Sequence, residues 1–176
     1  MQVVHTPAEV AAAILDSHTR RIAIDGIDGC GKSTLARALA TELGLPVIHL
    51  DDFIERKQGA YITALKTPEL AQTLLNLNHW IIEGVCMLQA LDAISLKADS
   101  LVYIKLMSHG YWFDEDELDP KVPVEQHLET IRAQIRPFAE LQEESCDLGL
   151  AEEIIRYHAA YRPHKNATLV YLRTDA

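Results

Sequence analysis

Residues 26–33 read GIDGCGKS and have the spacing of a loop that binds phosphate groups. The glycines of such a loop allow successive backbone N–H groups to point into one concavity, and a helix that begins at Lys32 adds the positive end of its dipole. The Lys32 ammonium supplies a mobile positive charge for a transferring phosphate, and the Ser33 hydroxyl is placed to bind Mg²⁺. We predict a nucleotide site here, the alternative being a glycine turn that binds no nucleotide. The predicted nucleotide-binding residues are Gly26, Ile27, Asp28, Gly29, Cys30, Gly31, Lys32, Ser33 and Thr34.

Two aspartates, Asp51 and Asp52, follow a predicted strand at residues 46–50. An enzyme that phosphorylates a hydroxyl needs a carboxylate opposite the phosphate loop, where it orients the nucleophile and accepts its proton. The end of a strand is a suitable position for that group. The alternative is that the pair only caps the strand or a following helix. Because the pair occurs together with the phosphate loop, we expect it to have a role in phosphate transfer.

Glu83 lies near the end of another apolar run, WIIEG at residues 80–84. A carboxylate that ends a buried strand next to a phosphate loop can hold Mg²⁺, usually through water, and Gly84 allows a close approach. The alternative is a strand-end carboxylate with no chemical role. We predict that Glu83 and Ser33 hold the metal together.

These residues require strands and helices that bring them together. Short apolar runs predict five strands, at residues 21–25, 46–50, 80–84, 100–106 and 168–173. Helices are predicted at residues 7–17, 32–43, 67–77 and 150–161. A further helix follows the strand at residues 80–84 and ends at about residue 96, and another begins at about residue 124. The alternation predicts a parallel sheet covered on both faces, with ligands at the carboxyl ends of its strands.

Two segments interrupt this regular pattern. Residues 109–123 are aromatic, then acidic, then punctuated by proline, and they show no periodicity, so we predict a loop there. Pro137 is expected to break or kink the helix that begins at Val124, because proline lacks the N–H that a helix interior uses.

The composition limits the classes of partner. The chain has 176 residues and a formal net charge of −10, which opposes binding to a nucleic-acid backbone. No stretch is apolar for long enough to cross a membrane, and the first residues lack the pattern of a secretion signal. The three cysteines, Cys30, Cys86 and Cys146, form no CxxC pair and are expected to be reduced thiols. We expect a cytoplasmic protein that binds a small molecule, with neither nucleic acid nor membrane as partner. The oligomeric state stays open.

The segments IAIDGIDGCGKSTLA, LDDF and WIIEGV, in this order, resemble the branch of P-loop kinases that contains uridine kinases, phosphoribulokinases and nicotinamide riboside kinases. The C-terminal segment EIIRYHAAYRPHKNATLVY is also similar to that branch. The resemblance implies an α/β P-loop NTPase fold, a three-layer sandwich in which a five-stranded parallel sheet has helices on both faces. It implies a single P-loop kinase domain over residues 1–176, with a lid region at about 109–145.

The resemblance also implies roles for individual residues. Asp51 would be the catalytic base and Asp52 a supporting acid close to the metal, while Lys32 would contact the phosphates. The arginines of the family's lid correspond loosely to Arg132 and Arg136, which share one helix face at a spacing of four. The alternative for these two arginines is an exposed helix surface with no catalytic role.

Together these features predict an ATP-dependent, Mg²⁺-requiring kinase that phosphorylates a hydroxyl of a nucleoside or similar riboside. A kinase for another small acceptor, such as a sugar acid or a nucleoside monophosphate, is an alternative. A monophosphate would need an arginine-rich pocket, and residues 53–78 offer little beyond Arg56 and Lys57. A third alternative is a regulatory protein that binds nucleotide and transfers no phosphate.

Overall fold

The structure is a computed structural model that describes residues 1–55, 61–142 and 147–174. Arg56, Lys57, Cys146 and residues 143–145 of the predicted lid region lie outside these ranges. The described strands are β1 (Gln2–Val4), β2 (Arg21–Asp25), β3 (Val47–His49), β4 (Trp80–Gly84), β5 (Ser100–Ser108), β6 (Tyr111–Trp112) and β7 (Leu169–Thr174). The described α-helices are α1 (Pro7–Asp16), α2 (Lys32–Leu43), α3 (Thr67–Leu75), α4 (Met87–Ala93), α5 (Glu115–Leu118), α6 (Val124–Gln142), α7 (Leu150–Tyr161) and α8 (Pro163–Asn166), and a 3₁₀ helix covers Leu50–Phe53.

The strands form one sheet in the order β1-β7-β5-β2-β4-β3, in which all neighbours are parallel. The central strand β2 has β4 and β5 as its neighbours, and Asp25 at its end is in register with Gly84 and Tyr103. His49 at the end of β3 is in register with Glu83. The carboxyl ends of β2, β3 and β4 therefore lie together at one edge of the sheet.

Side chains of the central strands alternate between two apolar layers, which is the pattern of a sheet that is buried on both faces. Ile22 and Ile24 pack in the layer that contains Leu35 and Leu39 of α2, whereas Ala23 packs in the opposite layer. The opposite layer also contains residues of α3, α4 and α7. The prediction of a sheet sandwiched between helices is confirmed.

The prediction of five strands is wrong, because the described residues alone form seven. Strand β1 has only three residues, two of them exposed, and it pairs with the edge of β7, so it has no apolar run that could reveal it. Strand β6 pairs antiparallel with β5 inside the segment that we predicted as a loop. His109 and Gly110 connect these two strands and both have positive φ, 51° and 85°, as a tight two-residue hairpin turn requires.

Two helical features complete the fold. Pro137 does not end its helix, since α6 continues through it to Gln142. A proline removes one hydrogen-bond donor from a helix, and the turns on either side can still form. In the described part of the chain, no helix combines the length and the apolarity that a membrane span requires.

Candidate active site

The phosphate loop, residues 26–33, joins the end of β2 to the start of α2. Gly29 and Gly31 have φ values of +73° and +95°, which residues with a side chain rarely adopt. Gly26 is also tightly enclosed, since a Cβ built on it would lie 2.7 Å from Sγ of Cys30. The backbone path of the loop therefore depends on its glycines, as predicted.

The loop forms one wall of a cavity of about 390 Å³. The residues that line the cavity are Asp28, Gly29, Gly31, Lys32, Ser33, Thr34, Asp51, Glu83 and Arg173. The structure thus brings Asp51 and Glu83, which follow β3 and end β4, to the same cavity as the phosphate loop. Of the other predicted nucleotide-binding residues, Gly26 and Cys30 are buried. The backbone carbonyl of Ile27 accepts a hydrogen bond from Lys32. Burial raises the pKa of the Cys30 thiol to about 11, so this side chain is a protonated packing group.

Lys32 is the first residue of α2, and its side chain turns back over the loop. Its Nζ donates a hydrogen bond of 2.6 Å to the carbonyl of Ile27, and the residue is only 8% exposed. The ammonium is consequently held at the wall of the cavity, with its aliphatic part covered.

Ser33 and Glu83, which line the cavity, form a hydrogen-bonded group with His49. The Ser33 hydroxyl donates to Oε1 of Glu83 at 2.8 Å, and Nδ1 of His49 donates to the same oxygen at 2.5 Å. Glu83 is buried, whereas the His49 side chain is 41% exposed. The histidine therefore helps to orient the carboxylate from the solvent side.

The oxygens of Ser33 and Glu83 are hard ligands of the kind that Mg²⁺ prefers, and they lie close enough to share one ion's environment. Within the described ranges, no group of three or more His, Cys, Asp or Glu side chains is placed to hold a metal by itself. Mg²⁺ usually retains water and binds through one or two protein oxygens together with substrate phosphates. Ser33 and Glu83 fit such an ion.

Asp51 lies on the 3₁₀ helix that follows β3, and Tyr61 contacts it. The phenolic hydroxyl of Tyr61 donates a hydrogen bond of 2.6 Å to Oδ1 of Asp51. Burial, and next the bond to Asp51, raise the pKa of the Tyr61 phenol, so it stays a proton donor at neutral pH. The Glu153 carboxylate on α7 accepts the backbone N–H groups of Tyr61 and Ile62 at 2.6 and 2.7 Å. The orientation of Asp51 thus depends on a tyrosine that α7 anchors.

Asp52 and the predicted lid arginines lie elsewhere. Asp52 is exposed, and the described residues that line the cavity include neither it nor Arg132 or Arg136. Arg132 forms an ion pair with Glu152 that joins α6 to α7, and Arg136 is exposed one turn further along α6. A metal-proximal role for Asp52 and a lid role for the arginines stay predictions.

Sequence reasoning missed Asp25, the last residue of β2. Its carboxylate is fully buried and accepts hydrogen bonds from the Gly26 N–H at 2.8 Å and from the hydroxyl of Tyr157 on α7. Burial raises its pKa to about 6, against the opposing effect of these hydrogen bonds. The carboxylate fixes the first residue of the phosphate loop to α7. A charged residue at the end of an otherwise apolar strand is the sequence signal that could have identified it.

Comparison with known proteins finds sequence similarity over part of the chain. Residues 28–81 match the model of the family described as shikimate kinase. The shikimate kinase of Bacillus cytotoxicus is 35% identical over 97 residues, which are 55% of this chain and 56% of that protein. The shikimate kinase of Rhodopirellula baltica is 50% identical over 42 residues, 24% of this chain and 22% of that protein. The chain thus spans about half the length of the first of these relatives and less of the second.

The fold as a whole is similar to that of a solved structure described as a possible uridine kinase from Bacillus stearothermophilus. The two superpose with a TM-score of 0.54, covering 94% of this chain and 96% of the other, at 16% sequence identity. This similarity confirms the predicted α/β P-loop kinase fold. The predicted branch of that fold is not confirmed, because the sequence matches are to shikimate kinases and not to uridine kinases.

Proposed function

We propose that this protein is an ATP-dependent kinase that transfers the γ-phosphate to a hydroxyl of a small molecule. The observation that carries the proposal is that Asp51 lines the same cavity as Lys32, Ser33 and Glu83. A phosphate-binding loop facing a carboxylate is the arrangement that phosphoryl transfer to a hydroxyl needs. The sequence similarity to shikimate kinases supports the same class of reaction.

The donor side of the proposed site binds the triphosphate. The backbone N–H groups of the loop and the N-terminus of α2 attract the phosphate oxygens, and Lys32 adds a full positive charge. Ser33 and Glu83 would hold Mg²⁺, which when bound offsets negative charge on the phosphates. His49 keeps the Glu83 carboxylate turned toward Ser33.

The acceptor side centres on Asp51. With Oδ1 engaged by Tyr61, the carboxylate has a fixed orientation, and Oδ2 is the atom we assign to the substrate hydroxyl. Asp51 would orient that hydroxyl for in-line attack and accept its proton as the new oxygen–phosphorus bond forms and the bond from the γ-phosphorus to the bridging oxygen breaks, releasing ADP. No covalent enzyme intermediate is needed.

Two classes of acceptor follow from two observations. The resemblance of the loop, LDDF and WIIEG motifs to the uridine kinase branch favours a nucleoside or related riboside. The match of residues 28–81 to the shikimate kinase family favours a cyclic hydroxy acid such as shikimate. Both classes present ring hydroxyls, and they differ in carrying either a base or a carboxylate.

The test is a phosphate-transfer screen with the purified full chain, MgATP and a panel of nucleosides, ribosides, shikimate and sugar acids, with product detected by mass spectrometry. We expect one class to be phosphorylated and the others to remain unmodified. Nucleotide binding with no transfer to any acceptor would contradict the proposal and favour a regulatory protein.

A further inference from the structure

Arg173 lies near the end of β7, in register with Leu106 of β5, and its guanidinium contacts the phosphate loop. A Cβ built on Gly31 would lie 2.1 Å from Nη1 of Arg173, 3.0 Å from Cζ and 3.3 Å from Cδ. The arginine therefore covers the Cα atom of Gly31, and this approach is open only because Gly31 has no side chain. No pattern in the sequence indicates this contact, since the two residues are far apart in the chain.

The charges of the side chains that line the cavity indicate what Arg173 contributes to binding an anion there. Among the described residues that line the cavity, the cations are Lys32 and Arg173, and the carboxylates are Asp28, Asp51 and Glu83. Two positive and three negative charges give a formal sum of −1, which would be −2 without the arginine. A triphosphate is itself strongly anionic, so Arg173 would add to the positive charge that Lys32 and a Mg²⁺ held by Ser33 and Glu83 provide against it.

We propose that Arg173 is a second phosphate-binding residue of the donor site, acting beside Lys32 on the polyphosphate chain of the nucleotide. A guanidinium presents several N–H donors in a plane and can bind two phosphate oxygens at once, which an ammonium cannot do with the same geometry. The inference rests on the proposed function, because it names a residue that binds the donor of the proposed reaction.

The position of Arg173 on the sheet distinguishes it from the predicted lid arginines. Main-chain pairing with β5 fixes Arg173 at the cavity, so it needs no closing movement to reach a phosphate. Arg132, in contrast, belongs to α6 and is paired with Glu152. Arg173 accordingly acts on the bound nucleotide from the start of binding.

The experiment measures binding of MgATP and of inorganic tripolyphosphate to the wild-type chain and to Arg173→Met, Arg173→Lys and Arg20→Met by calorimetry. Tripolyphosphate isolates the phosphate contact, because it has no base or sugar. Arg20 is an exposed arginine next to the opposite end of β2, so Arg20→Met is the matched control. We expect Arg173→Met to weaken both ligands by about 10- to 100-fold, with Arg173→Lys intermediate and Arg20→Met unchanged.

Three outcomes would overturn the inference. Equal affinities of wild type and Arg173→Met for both ligands would remove Arg173 from the site. Loss of MgATP affinity with tripolyphosphate affinity unchanged would assign Arg173 to the base. Weakened binding accompanied by a lower melting temperature, with no recovery in Arg173→Lys, would assign Arg173 to the structure of the loop.

A wild-type chain that binds the nucleotide but phosphorylates no acceptor would contradict the proposed function and leave this inference standing.

Discussion

The phenolic hydroxyl of Tyr61 donates a 2.6 Å hydrogen bond to Oδ1 of Asp51, the residue that we propose as catalytic base. Two backbone bonds to Glu153 hold residues 61 and 62 against α7. A carboxylate at the exposed end of a strand would otherwise rotate freely. The hydrogen bond from Tyr61 therefore fixes the orientation of a carboxylate that lies at the surface.

Replacement of Tyr61 by Phe tests this positioning role. Tyr61→Phe keeps the ring and removes the hydroxyl, so we expect kcat to fall by about 3- to 30-fold while the affinity for MgATP is unchanged. The measurement is steady-state kinetics together with nucleotide binding. Tyr111→Phe is the matched control, because Tyr111 is 76% exposed on the β5–β6 hairpin. A kcat equal to that of the wild type, or a fall that only reflects a lower melting temperature, would contradict the role.

Replacement of Glu83 by Gln tests the metal site. Gln can still accept the Ser33 hydrogen bond but carries no charge, so the Mg²⁺ concentration that gives half-maximal activity should rise by about 10-fold. Glu42→Gln, an exposed change at the far end of α2, serves as the control. An unchanged Mg²⁺ dependence would remove Glu83 from the metal site.

The buried Asp25 carboxylate predicts a pH dependence of stability. The pKa of Asp25 is raised from 3.8 to about 6, mainly by burial, so the folded protein keeps a proton that the unfolded chain has lost. The stabilising contribution is therefore complete below pH 3.8 and is lost as the pH rises through 6. Between pH 5 and pH 7 the free energy of unfolding of wild type should fall by about 1 kcal/mol relative to Asp25→Asn.

Urea unfolding of both proteins at the two pH values measures this difference. Comparison with Asp25→Asn removes the contributions of other titrating groups to the pH dependence of stability. One of these groups is His158, and burial lowers its pKa to about 4. A carboxyl NMR titration of Asp25 gives a second readout that does not depend on the variant. A stability difference that is the same at both pH values, or a titration midpoint near pH 4, would contradict the assignment.

The sequence was sufficient for those parts of the site that lie at the ends of apolar runs. Residues 26–33, Asp51 and Glu83 each follow or end a buried strand, and parallel strands bring their carboxyl ends to one edge, so their meeting at one cavity was predictable. The same register rule could have identified His49, which is opposite Glu83.

Other contacts could not be read from local patterns. Tyr61, Tyr157 and Arg173 reach the site from segments whose positions depend on the packed fold, and no spacing in the sequence links them to the loop. The short strands β1 and β6 carry too few residues for a periodicity. The hairpin that forms β6 depends on the positive φ values of His109 and Gly110. Glycine adopts positive φ readily, but a glycine in the sequence does not by itself predict such a turn.

The most direct test of the account is phosphate transfer by Asp51→Asn, measured with the acceptor that the wild type uses and together with MgATP affinity. Asn keeps the size of the side chain and the bond from Tyr61 but cannot accept the proton, so we expect turnover to fall by about 100-fold or more with MgATP affinity within about twofold of wild type. Asp16→Asn, an exposed change on α1, should behave as wild type. Turnover by Asp51→Asn at the wild-type rate would contradict the assignment of Asp51 as the base.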